Sequence, residues 1–352
     1  MVGWPRTNFL ELVGSEHPIV QAPMAAAGGV ELCVGAMAGG AVGSLPCAML
    51  SADAVREQVT EVRPRAAGPI NLNFFCHKQP ANADDSAWRS LLRPYYAEYG
   101  IEPTDAGPQR KPFDETMCAV VEQLRPKIVS FHFGFPANDL VQRVKAAGAI
   151  VIGNATTVEE ARWLEERGAN GIIAQGFEAG GHTGRFLGSD PADALGLFAL
   201  LPRVADAVSV PVIAAGGVAD GRGIAAAFML GASAVQVGTA YLHCPESLIP
   251  DAHRAALGKS DSLFTNLITG GLARGLRGRL MRELGPVRSE APPFPLASAA
   301  LAPIRAAAEA RGEYGFGAMW AGQAAALGRS LPAAELTRKL AADALAILAR
   351  GA

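Results

Sequence analysis

The sequence predicts an α/β fold, a (β/α)8 TIM barrel with an insertion after strand 3 and a mainly helical second domain. Three observations predict it. Eight short apolar, β-branched runs alternate with Ala-rich stretches of helical period. Glycine-rich loops stand at four or more of the run ends, and the 352 residues exceed the ~250 that one barrel commonly needs. The runs are 18–24, 41–46, 69–75, 128–134, 149–155, 171–176, 211–217 and 234–240.

The first run ends in QAPMAAAGG, where small residues after Met24 leave room for a ligand beside exposed backbone. The third reads INLNFF. Strand side chains alternate, so Asn71 and Asn73 share a face, and buried amides need partners, either a heterocycle's polar edge or nearby backbone. Residues 76–113 are polar, aromatic and Pro-rich at their start and read as an insertion at the barrel mouth. The fourth run, VSFHFGFP, puts Ser130, His132 and Gly134 on one face and Phe131, Phe133 and Phe135 on the other. With the phenylalanines against helices, His132 points into the barrel. After the fifth run, Thr157 and the glutamates behind it form a helix start, and Gly168 stops that helix.

The sixth run opens GIIAQGFEAGGHTGRF. A strand buried on both faces gives way to a glycine pair, Gly180-Gly181, and then His182, at the strand end where such folds place chemistry. His182 reads either as a proton-exchanging residue beside a flat ligand or as a hydrogen-bonded histidine at a glycine turn. The seventh and eighth runs end in Gly216-Gly217 and Gly238-Thr239. Side by side at the barrel top, these suit a phosphate held by backbone N–H groups, or they merely terminate strands. The barrel is therefore expected over 1–75 and 114–242, with a lid domain over 243–330. TNLITGGLARGLRGRLM is expected to be helical within that lid, and 331–352 to be a helix packing back on the barrel.

A net charge of −2 and a pI near 6.3 give no footprint for nucleic acid or an anionic membrane. Five scattered cysteines without a C-x-x-C pair read as buried reduced thiols of a cytoplasmic protein. No signal peptide, membrane-spanning run, metal-ligand spacing or G-x-S-x-G elbow is present. The partner expected is a small molecule.

QAPM at 21–24, FHFGFP at 131–136, AQGFEAGGHTG at 174–184, AAGGVADG at 214–221, QVGTAY at 236–241 and WAGQ at 320–323 together resemble the nitronate monooxygenases, formerly 2-nitropropane dioxygenases, of the class I type. The resemblance implies an FMN enzyme that oxidises alkyl nitronates such as propionate 3-nitronate with O2. One-electron transfer to FMN and oxygen chemistry then yield a carbonyl compound and nitrite. It also implies FMN contacts from Ala22, Pro23, Met24, Asn71, Gln175, Gly180, Gly181, Gly216, Gly217, Gln236, Val237, Gly238 and Thr239. Gln175 would reach the flavin ring and the glycines of the last two strands its phosphate. His182 would be the active-site base, with a pKa near 6.5 suited to that work, while His132 would bind the nitro group and Tyr314 would line the substrate pocket. The chain departs from the family in having Thr183 where arginine follows the histidine. Two other readings compete: an FMN-dependent NAD(P)H reductase (enoyl-ACP or quinone) on the same scaffold, and a flavin-free phosphate-binding isomerase or aldolase. A Schiff-base aldolase is disfavoured because Lys127 is the one lysine at a strand candidate.

Overall fold

The computed structural model describes residues 3–80, 84–104, 110–188, 193–259 and 261–351. Eight parallel strands form its centre: β1 (Ile19–Gln21), β2 (Gly43–Pro46), β3 (Ile70–Phe75), β4 (Ile128–His132), β5 (Ile150–Ala155), β6 (Gly171–Gln175), β8 (Val212–Ala215) and β9 (Ala234–Val237). A two-residue strand outside the barrel, β7 (Gly181–His182), interrupts the series. The order β1-β9-β8-β6-β5-β4-β3-β2 nearly closes on itself. Val42 N donates to Ile19 O, and Gln21 N to Val42 O, both at 2.9 Å, which joins the outermost strands. The ladders stop short of several expected ends. Pro23, Met24, Gly216 and Gly217 lie beyond them, and Thr239 starts a short helix, α10 (Thr239–Leu242), because apolar character does not mark where ladder pairing ends.

Alternation sorts the strand residues. Ile128, Ile150, Ile152, Ile173 and Ile213 fill the interior with Phe9 and Val13 of α1 (Asn8–Val13), which plugs the N-terminal end of the barrel. Val129, Phe131, Val151, Ile172, Val212 and Val235 face outward into the helices. Among these is α7 (Val158–Glu166), whose N-cap Thr157 accepts from Glu160 N at 3.1 Å, as the sequence predicts. The long helix α14 (Ala333–Gly351) lies against α2 (Val30–Ala38) and α9 (Gly221–Met229).

Between β3 and β4 the chain forms a helix, α4 (Ser86–Tyr99), before α5 (Glu115–Leu124). Residues 81–83 and 105–109 of the expected insertion lie outside the described residues. Trp88, Leu92, Tyr95, Tyr96 and Tyr99 recur at helical spacing and share a second core with Leu301 and Ile304 of α13 (Ala297–Glu309). Residues 243–330 also carry strands β10 (Ser262–Thr265) and β11 (Ala273–Leu276), which make an antiparallel sheet in the order β10-β11-β7. The helix expected over this stretch is thus a hairpin. Gly270 sits at φ +88°, in the left-handed region that ends regular helix, and α12 begins only at Arg279 (Arg279–Leu284).

Candidate active site

The barrel mouth is built on a rim of amides. Asn71 Nδ2 donates to Ser44 Oγ at 3.0 Å, and Gln21 Oε1 accepts from Ser44 N at 2.9 Å. Asn73 Nδ2 donates to Ser130 Oγ at 3.0 Å. Asn71 Oδ1 is buried and unpartnered, on a void of about 10 Å³ that Gln236 and Ser130 also line. On the opposite wall, Gln175 Oε1 accepts from Asn154 Nδ2 at 3.0 Å and from Gly184 N at 2.7 Å, while its Nε2 donates to His182 O at 2.9 Å. The Gln175 side chain is therefore engaged in holding the chain that carries His182.

Above this rim stand His182 and His132. His182 is edged by Trp320 at 5.4 Å, Phe294 at 5.0 Å, Phe133 at 6.0 Å and Phe75 at 6.3 Å between ring centroids. Its Nε2 lies 2.8 Å from Thr269 Oγ1. His132 shares the interior face of β4, as alternation predicts, and packs on Phe75 at 5.5 Å between ring centroids. Phe133 departs from the expected pattern. Phe131 and Phe135 pack outward, whereas Phe133 has a left-handed backbone, φ +67°, that swings its ring into the site, 4.5 Å from His132.

Burial decides the charge of these imidazoles. Desolvation holds His132 at about 4. Desolvation, joined by the fields of Arg110, His132 and His77, drives His182 well below its ordinary value. The ordinary pKa expected for His182 is thereby corrected: both rings are neutral at neutral pH. His77, which sequence reasoning passed over, is part of the same cluster, 4.9 Å from Phe294 and 6.3 Å from Phe133. Phe75, Phe294 and Thr269 were also missed. Phe75 was legible as the next residue on the face of Asn71 and Asn73, but Phe294 and Thr269 arrive from the lid, where no local pattern marks them.

The glycine-rich ends converge as expected. Gly216 and Gly217 have φ +106° and +70°, conformations that favour residues without a Cβ. A Cβ on Gly238 would meet Ala22 at 3.5 Å and the Met24 sulfur at 3.8 Å, which puts the ends of β1 and β9 together. The WAGQ stretch docks here. Gly322 N donates to Thr239 Oγ1 at 2.9 Å, Gln323 N donates to Glu178 O at 3.0 Å, and Trp320 bridges to Gly275 of β11. Tyr314 falls in the turn after α13, where Gly317 N donates to its carbonyl, and makes none of the ring contacts described at the histidines. Thr183 is tied by its backbone, its N–H donating to Leu272 O at 3.0 Å. Arg274, within the arginine-rich stretch, is buried between the Phe177 and Phe264 rings rather than solvated. Among the described residues no cluster suits a metal ion, and no helix is long and apolar enough to cross a membrane.

The profile of the family described as nitronate monooxygenase matches residues 6–343. The nitronate monooxygenase of Paraburkholderia phytofirmans is 43% identical over 94% of this chain and 93% of its own. That of Pseudomonas aeruginosa is 42% identical over 95% and 97%. Among solved structures, the nitroalkane oxidase of Streptomyces ansochromogenes superposes with a TM-score of 0.89 at 35% identity, covering 98% of this chain and 99% of that one. FabK of Thermotoga maritima superposes at 0.76 with 26% identity over 98% of each.

Proposed function

This chain belongs to the nitronate monooxygenase family, and on that premise we propose that it binds FMN at the barrel mouth and oxidises alkyl nitronates, propionate 3-nitronate among them, with O2 to a carbonyl compound and nitrite. The observation that carries the reading is a neutral His182 set in an aromatic cage above a glycine-lined mouth.

The residues present fit a flavin. Gly216, Gly217, Gly238 and Thr239 would hold its phosphate, with the Thr239 hydroxyl proton still free to donate after accepting from Gly322. Ala22, Pro23, Met24, Gly180, Gly181 and Val237 would border the ring system, and the unpartnered Asn71 Oδ1, with Gln236, would meet its polar edge. Bound FMN would supply the electron acceptor between nitronate and O2.

The histidines would orient and exchange protons. Thr269 fixes the His182 ring through Nε2, which leaves Nδ1 to face a ligand. A neutral imidazole with a strongly lowered pKa is a weak base, so removing the α-proton of a neutral nitroalkane would be slow. A preformed nitronate needs no such step, and the cage of Phe75, Phe133, Phe294 and Trp320 would exclude water from it. His132 would donate to the nitro oxygens. The environment of His182 therefore favours nitronates over nitroalkanes.

Anaerobic mixing tests this. Rapid loss of flavin absorbance near 450 nm with propionate 3-nitronate, and nitrite on readmitting O2, are expected. Bleaching by NADH and none by nitronate would overturn the reading in favour of a reductase, and a colourless protein would favour a flavin-free barrel.

A further inference from the structure

We propose that Arg110 and Arg305 form an anion clamp that takes the carboxylate of a nitro substrate whose acid group lies several bonds from the nitro-bearing carbon. The proposal rests on the nitronate reading above and adds the substrate's second end.

The Phe75 ring lies 5.5 Å from His132 and 6.3 Å from His182 between ring centroids. It also lines a cavity of about 390 Å³, together with Cys47, Ser51, Phe74, Arg110 and Arg305. Cavities of ~300–1,000 Å³ hold drug-sized ligands, so a three-carbon acid would leave most of this one empty. Arg110 joins the cavity to the histidines. Its guanidinium lies 5.5 Å over the Phe294 ring, and that ring is 5.0 Å from His182.

The cavity is also electrostatically incomplete. Arg110 NH1 is buried with no hydrogen-bond partner, and the nearly fully buried His77 beside it has an unpartnered Nδ1. The His77 Nε2 is already used on the Arg110 carbonyl at 3.2 Å. Arg305 lines the same cavity with a half-exposed side chain, and its own carboxylate contact is Glu309, one turn along α13 at 3.7 Å. Lys111 adds a third cation, while the lining Asp114 is occupied in capping α5, accepting from Met117 N at 3.0 Å. A guanidinium left buried and unpaired is costly, and a carboxylate matches its fork with two parallel hydrogen bonds. A nitronate without a carboxylate would occupy the cage with its one charge and leave the arginine unmet.

Calorimetry on the purified holoenzyme tests the clamp without turnover. Hexanoate, which has no nitro group, is expected to bind at least about tenfold more tightly than hexanamide, and Arg110→Gln and Arg305→Gln to lose that preference. In kinetics, the ratio of kcat/KM for the nitronate of 6-nitrohexanoate over that of 1-nitrohexane is expected to fall about tenfold in Arg110→Gln. Equal binding of hexanoate and hexanamide by the wild-type protein overturns the clamp whether or not the variants fold. Better turnover of propionate 3-nitronate than of the six-carbon acid overturns the length assignment. A protein that binds hexanoate through Arg110 yet oxidises no nitronate supports the clamp and rejects the nitronate reading. One that oxidises nitronates with and without a carboxylate alike does the reverse.

Discussion

Gln175 Nε2 donates to the backbone carbonyl of His182 at 2.9 Å, and through that bond a barrel strand sets the height of the histidine above the mouth. The same amide accepts from Gly184 N, so two hydrogen bonds register residues 182–184 against Gln175, and a third, from Asn154 Nδ2, holds that amide against β5. Each is worth ~1 kcal/mol net, and more where truncation strands a buried partner. Gln175→Ala is therefore expected to lower kcat on a preformed nitronate at least about tenfold while the protein stays folded. Gln175→Glu should do the same, since a carboxylate cannot donate to the His182 carbonyl. Steady-state kinetics with flavin content measured in parallel check this; full activity in both variants would show that the bond does not position His182.

The barrel was legible because eight runs of apolar residues need no long-range information, and alternation along VSFHF and INLNF set His132 inward and Asn71 and Asn73 on one shared face. Phe133 escaped because a single left-handed residue breaks the period of two, and nothing in the sequence marks a phenylalanine for that conformation. The hairpin β10–β11 escaped because its interior, LITGGLARGL, has apolar residues at helical spacing; pairing with β7, about 90 residues earlier, overrides that local preference. Two of the four rings around His182, Phe294 and Trp320, come from residues 243–330; Trp320 lay in the WAGQ motif, whereas Phe294 carried no local signal.

His182→Asn removes the proton acceptor but keeps a polar side chain near Thr269. It is expected to retain flavin and to lose far more activity on neutral nitroalkanes than on preformed nitronates, since deprotonation alone needs a base. Parallel kcat/KM measurements on nitroethane and its nitronate decide it. Equal losses on both would contradict proton abstraction by this residue.

Gly180 lies against the docked WAGQ stretch. A Cβ there would sit 2.5 Å from Gly322 N and 2.6 Å from the Ala321 carbonyl carbon, both backbone atoms that cannot rotate away. Gly180→Ala is expected to cost ~1–3 kcal/mol in urea unfolding and to weaken flavin retention, because the lid must lift from Thr239. Unchanged stability would mean that the lid shifts freely.

Acid should weaken this protein before its carboxylates protonate. All six histidines have lowered pKa values, each with burial as the largest cause. His132 and His253 fall to about 4. In the unfolded chain they return to ~6.5, so between those values the unfolded state binds more protons and stability falls as pH falls. A shift of that size is worth at most ~3 kcal/mol per histidine, complete near pH 4 and absent above pH ~7. His253, in α11 (Asp251–Ala256), isolates the effect away from His132 and His182: it is buried and its Nε2 has no hydrogen-bond partner. His253→Asn keeps a polar side chain and cannot titrate. Melting temperatures of the wild type should drop steeply from pH 6.5 to 4.5, and the variant's should drop less, even if it starts lower at pH 7. Parallel curves for the two proteins would show that His253 does not contribute to the acid sensitivity.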